Sequence, residues 1–217
     1  MAGGRPEALA SRVAGRTAAR VSGSDVRGAL PSGFYDRAAE EVARDLLGCL
    51  VVSDVGGERA AGRIVETEAY PGPHDPASHA AARIGRTARN DPMHGPAGIA
   101  YVYRIYGIHW CLNAVTGNAE RPAAVLLRAL EPVAGQAVMV GRRGRDRDLA
   151  NGPARLARAL GVDGRLNGHT LASEPLRIVA APGPAAGGVA SGPRIGVTRA
   201  RDWPLRFWIR DNPHVSR

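Results

Sequence analysis

Apolar residues recur at helical spacing through "DRAAEEVARDLLG" (36–48), where Ala39, Val42, Leu46 and Leu47 fall on one face and Gly48 supplies a stop. The period then changes from helix to strand. "CLVVSDVGGERAAGRIVETEAY" reads as two strands around a Gly-Gly turn, and in "RIVETEAYPG" (63–72) Glu66, Glu68 and Tyr70 alternate onto one face of the second strand. "IAYVYRIYGIHWCLNAV" (99–115) is a hairpin with Tyr106-Gly107 at its turn, Tyr101 and Tyr103 on one face, and His109, Cys111 and Asn113 together on the returning strand. The strand "AAVLLRALEP" follows it. Asn151-Gly152-Pro153 suits capping and a proline in the first turn of a short helix, "ARLARALG". Residues 181–193, "APGPAAGGVASGP", are a flexible connector, and "RIGVTRARDWPLRFWIR" closes on a final core strand. Hairpins with two or three helices and no regular strand-helix alternation predict an α+β domain with a largely antiparallel sheet.

Composition adds an arm and a partner. At 217 residues the chain fits one domain. Residues 1–30 are rich in Gly, Ala and Ser and carry five arginines against Glu7 and Asp25, which predicts a mobile basic arm ahead of a domain at 31–217. The whole chain has a formal charge of +9. That sign points to a polyanion. All 29 basic residues are arginines, whose planar fork suits phosphate. Without lysine, a Schiff base could form only at the N-terminal amine. No phosphate-binding G-x-x-x-x-G-K-[ST], H-E-x-x-H or P-C-x-x-C motif is present. The two cysteines, Cys49 and Cys111, lack metal-ligand spacing and are expected to be buried and reduced. With no apolar run long enough for a signal or a membrane span, a cytoplasmic protein is expected.

Three functions fit the carboxylates on "RIVETEAYPG". Residues two apart on a strand have Cα atoms about 6.8 Å apart, within the roughly 6.5–9.5 Å that separates the carboxyl groups of inverting O-glycosidases. A DNA-binding protein without catalysis would share the arginines and an exposed tyrosine at the hairpin tip, but has no need of an anion facing DNA. An N-glycosidase needs one carboxylate, to stabilise an oxocarbenium-like sugar and take a proton from water.

The motifs "RIVETEAYPGPHDPASH", "ARN", "YVYRIYGIHWCLN", "VLLRALEP", "NGPARLARAL", "RIGV" and "PLRFWIR" occur in that order. With them the chain resembles the alkyladenine (3-methylpurine) DNA glycosylase family over roughly residues 33 to 216. The resemblance implies a single α+β domain with a curved antiparallel sheet, whose protruding hairpin enters the DNA minor groove. It implies a monomeric, monofunctional glycosylase that acts on duplex DNA with damaged purines and uses no cofactor or metal. Glu68 would be the general base that activates water, with Arg128 and the carbonyl of Ile195 helping to hold that water. Tyr70 and His79 would lie on one side of a flipped-out base and Tyr103 on the other. Tyr106 would fill the gap left in the duplex, and Asn113 would crowd the 2-amino group of normal guanine. The sequence departs from better-known members at His109 and Trp110, and in having no lysine on a DNA-facing surface. Glu66 receives no role and is expected to be structural or to face solvent.

Overall fold

A computed structural model of the chain describes residues 28–118, 120–184 and 188–216. Two long antiparallel strands, β2 (Ala60–Tyr70) and β5 (Arg121–Ala134), form the spine of a single sheet. Beyond β5 lie β4 (His109–Asn118) and then β3 (Ala100–Ile105). Beyond β2 come β1 (Leu50–Ser53), β7 (Leu176–Val179) and the two-residue β6 (Ala172–Ser173). The edge of β2 is divided. β1 pairs with residues 60–63, β9 (Arg206–Ile209) pairs with Glu66–Glu68, and β8 (Val189–Gly192) adds to β9.

That division coincides with a break in the β2–β5 ladder. Pairing is regular at Ile64–Leu130 and again from Thr67–Leu127, but shifts on both sides of Glu66. One residue on each strand is absorbed, so the face packed under the helices switches from Ile64 and Leu130 to Thr67, Ala69, Val125 and Leu127. Bulges bend strands and re-aim side chains. Here the sheet curls, and Glu66, Glu68 and Arg128 are left together on the other face.

Among the described residues, four helices complete the α+β domain: α1 (Ser32–Tyr35), α2 (Ala39–Asp45), α3 (Gln136–Arg143) and α4 (Pro153–Leu160). α2 buries Val42 and Ala43 against the sheet, and Thr67 donates its hydroxyl to the Ala43 carbonyl at 2.8 Å. α4 buries Leu156, Ala157 and Leu160. The apolar side chains of both helices join one core with the strands. Cys49 and Cys111 are buried and free, as expected. No described helix is long and apolar enough to cross a membrane.

Two expectations need correction. The helix expected over 36–48 is the shorter α2, which is capped by Leu46 before the chain turns through Gly48 at φ 95°. The start of α4 is as expected, with Gly152 as the capping residue and Pro153 in the first turn, while Asn151 accepts from Arg155 and donates to Asp148. The connector at 181–193 contains strand β8, whose pairing comes from the edge of β9 rather than from its own composition. Gly192 lies beneath Trp208, where an added Cβ would come within 3.2 Å of the indole. The basic arm falls mostly on residues 1–27, outside those described. By Ala29 and Leu30 the chain already pairs with β7.

Gly48 offers a test of this packing. Its positive φ is combined with a backbone approach that would place a Cβ 2.7 Å from the Gly183 Cα. Gly48→Ala should therefore lower stability by more than the roughly 1–2 kcal/mol of a left-handed alanine. Urea unfolding would measure it, and an unchanged midpoint would refute the close approach.

Candidate active site

Glu68 lies on β2 with its side chain fully buried, and two hydrogen-bond donors and one guanidinium group reach it. Oε1 accepts the Ile195 backbone N–H at 2.8 Å and lies 3.3 Å from Nη1 of Arg128. Oε2 accepts the Tyr70 hydroxyl at 2.9 Å. Burial raises the Glu68 pKa above the ordinary carboxylate range. The nearby Arg128 and the two hydrogen bonds oppose that rise, while Glu66 adds to it.

Arg128 is shared between the two acids. Its Nε is 3.3 Å from Glu66 Oε1 and donates to the Ser216 hydroxyl at 3.1 Å. Glu66 does not face solvent: its side chain is fully buried. It also accepts Nε of Arg206 at 2.5 Å and the Ser216 N–H at 2.8 Å. Its environment is thus structural, as one of the two expectations had it.

A cavity of about 310 Å³ opens above Glu68. All eight residues singled out by resemblance line it: Glu68, Tyr70, His79, Tyr103, Tyr106, Asn113, Arg128 and Ile195. His79 meets the Tyr103 ring edge-to-face at 4.7 Å, and its Nδ1 shares a 2.9 Å hydrogen bond with the Tyr101 hydroxyl. Burial, with Arg89 nearby, pulls the His79 pKa down to about 4, so the imidazole is neutral at pH 7. Asn113 donates its amide to the Tyr101 carbonyl at 2.9 Å, which fixes the orientation of its side chain. Ile195 meets Glu68 through its backbone N–H, a contact separate from the role that the resemblance gave its carbonyl.

Sequence reasoning missed the groups that brace these walls. Arg194 and Asp75, both side chains fully buried, form a two-pronged pair at 2.5 and 2.9 Å. The Arg194 guanidinium also donates to the Ala69 carbonyl and sits 4.6 Å over the Tyr70 ring. Arg89 lies 5.0 Å over the Tyr103 ring while donating to the Arg104 carbonyl. Asp75, Arg89 and Arg194 stand inside "PGPHDPASH", "ARN" and "RIGV", but no local period marks them.

The tip of the β3–β4 hairpin stands beside the cavity. Tyr106 and Gly107 both have positive φ, 54° and 71°, and the Ile108 N–H bonds the Ile105 carbonyl. This is the positive-φ pair of a tight hairpin turn, unusual for tyrosine. Tyr106 is 86% exposed and Ile108 70%, which makes them the most exposed large apolar side chains among the described residues.

A buried carboxylate beneath an aromatic-walled cavity, at the root of a projecting hairpin on a curled antiparallel sheet, is the layout of a DNA base-excising glycosylase. Residues 33–213 match the family model described as methylpurine-DNA glycosylase (MPG). A Myxococcus xanthus protein named "Putative 3-methyladenine DNA glycosylase" is 48% identical, over 87% of this chain and 93% of its own length. One of the same name from Methanoculleus marisnigri is 48% identical over 87% and 98%, and one from Frankia casuarinae 46% over 87% and 93%. The chain belongs to the methylpurine-DNA glycosylase family.

Glu66 balances Arg206 and shares Arg128, so its loss would leave two guanidinium groups short of a partner in a buried site. Glu66→Ala should lower stability by about 3–5 kcal/mol, as breaking a buried pair does. Guanidinium unfolding would read the change, and a loss below about 1 kcal/mol, the range of surface pairs, would contradict the structural assignment.

Proposed function

We propose that the chain is a monofunctional DNA N-glycosylase of base-excision repair. It flips alkylated or deaminated purines out of duplex DNA, in the class of 3-methyladenine, 7-methylguanine, hypoxanthine and ethenoadenine. It then hydrolyses the N-glycosidic bond with an activated water. The observation that carries this reading is the acceptor count at Glu68. An ionised carboxylate has about four lone-pair sites. The Ile195 N–H takes one on Oε1, which the Arg128 guanidinium also flanks at 3.3 Å as an ion-pair partner, and Tyr70 takes one on Oε2. One site on Oε2 is left for the proton of a water.

In the proposed reaction, water oxygen attacks C1′ as the bond from C1′ to the base nitrogen breaks, and that electron pair leaves with the base. Glu68 takes the water proton and stabilises the positive charge developing on the sugar. The Ile195 carbonyl is proposed as the second acceptor for the water, and Arg128 also as a partner for the target phosphate. Flipping costs a few kcal/mol, least for damaged or mispaired bases. Tyr70 and His79 stack on one face of the base and Tyr103 on the other. A neutral His79 lets a cationic lesion stack without repulsion, and cation–π attraction to tyrosine adds roughly 0.5–2 kcal/mol. Asn113 excludes the 2-amino group of guanine. With no lysine in the chain, no internal amine is available for lyase chemistry. The protein is proposed to act as a monomer, with the segment ahead of the domain adding charge toward DNA.

Duplex oligonucleotides carrying one lesion each test this reading. Abasic sites should appear that break only after alkali, and breaks without alkali would indicate a lyase. Glu68→Gln should slow single-turnover base release by at least about 10²-fold. Because burial raises the Glu68 pKa, wild-type release should climb with pH through a limb above the usual value of about 4.3, as the carboxyl loses its proton. A limb at or below that value, or wild-type-like turnover by Glu68→Gln, would remove Glu68 as the base.

Tyr106 is proposed to enter the minor groove and fill the place of the flipped base, as apolar wedges do in bent duplexes. Tyr106→Ala should weaken binding to lesion duplex more than to undamaged duplex, and leave the salt dependence unchanged because no phosphate contact is lost. Equal weakening of both would make the hairpin a general docking element.

A further inference from the structure

Strand alternation turns Tyr101 and Tyr103 toward the base cavity and Arg104 toward the opposite face of the hairpin. There the Arg104 guanidinium lies 4.6 Å over the Trp110 ring. Trp110 in turn packs so closely on Gly164 that a Cβ there would come within 2.8 Å of the indole. Beside this buttress runs a second groove, of about 770 Å³, into which Arg142, Arg143, Arg145, Arg155 and Arg158 converge from α3, α4 and the loop between them.

The charge in this groove is poorly compensated. Arg142 is held by the Val55 and Ala159 carbonyls at 2.6 and 3.3 Å and has Glu58 at 3.8 Å, so its place is structural. Arg145 faces Asp148 at 3.5 Å. Arg143, Arg155 and Arg158 bond only carbonyl or amide oxygens, and no carboxylate among the described residues forms an ion pair with them. Asp163, the one acid on the groove wall, is engaged by Arg165 at 2.8 Å. Nε of Arg143 is buried without a partner, and the charges of Arg145, Arg155 and Arg158 crowd it. Like charges held together around an unmet donor suit an extended anion.

We propose that this groove seats the phosphodiester backbone of duplex DNA on the side of the hairpin opposite the base cavity. The inference rests on reading the chain as a glycosylase whose hairpin enters the minor groove. Two backbones border a minor groove about 6 Å wide, so an element two strands across that enters it has one backbone beside each face. The tip is divided accordingly, with Tyr106 on the cavity wall and Ile108 on the wall of the arginine groove. Phosphates along this groove would fix the register of the duplex without reading its sequence.

The double substitution Arg143→Gln and Arg158→Gln tests the proposal, leaving Arg142 in place. Dissociation constants for lesion and undamaged duplex should rise alike, by about tenfold or more at 0.1 M salt, and the slope of log K against log[salt] should fall by about two. Base release under saturating enzyme should stay within a few fold, which also reports a folded site. Wild-type protein on duplexes with single neutral methylphosphonate linkages gives a measurement that needs no variant. At least one linkage should weaken wild type and leave the double variant unaffected, and its position identifies the strand. An unchanged salt slope with no such linkage overturns the groove. A loss confined to lesion duplex does so as well. If the double substitution lowers the slope by about two but wild type releases no base, the glycosylase reading fails while the groove stands.

Discussion

Arg128 sits between two buried carboxylates, and the geometry of the centre depends on that sharing. Glu66 and Glu68 would repel each other in a site with little water. Nε of Arg128 lies 3.3 Å from one and Nη1 lies 3.3 Å from the other. Arg206 then completes Glu66, giving two acids and two guanidinium groups in one cluster. The compensation is uneven. Glu66 takes charged contacts from both arginines and the Ser216 N–H, while Glu68 has only part of Arg128 and two neutral donors. Burial therefore dominates at Glu68 and raises its pKa. What separates the two acids is therefore charge compensation and place: Glu66 is held by two guanidinium groups away from the cavity wall, while Glu68 lines the cavity, as the proposed base requires.

Much of this was legible in the sequence where local period carries the information. Alternation in "RIVETEAYPG" placed Glu66, Glu68 and Tyr70 on one face, and their shared contacts agree with it. The hairpin turn at Tyr106-Gly107 followed from glycine's tolerance of positive φ, but not the matching φ of 54° at Tyr106. Period gave no sign that the core-facing set switches between Ile64 and Thr67, because a break in a ladder belongs to two strands at once. Strand β8 was hidden for a related reason: Gly192 is chosen by the Trp208 ring above it, not by strand propensity.

The braces of the cavity were less legible still. Asp75 and Arg194 are 119 residues apart in sequence and meet only in the fold, so neither a motif nor a charge pattern links them. Glu66 was ambiguous because a strand residue with an acidic side chain reads equally as solvent-facing. What decided it was Ser216, 150 residues later, whose N–H reaches Glu66. Long-range closure of this kind ties Ser216 to the strand that carries both carboxylates.

The hairpin gains its meaning from being a wall shared by two concave sites. The wedge role proposed for the β3–β4 hairpin would require it to resist the reaction force, and it is braced by Arg104 stacked on Trp110, by Gly164 against the indole, and by the Asn167 side chain accepting the Val102 N–H at 2.9 Å. On its inner face Tyr101 and Tyr103 are fixed by His79 and Asn113. Substitution at Trp110 would thus be felt in both sites at once. His109 and Trp110 both line the arginine groove, so under the proposed reading their identity bears first on the hold on DNA and reaches the base cavity only through the stiffness of the hairpin.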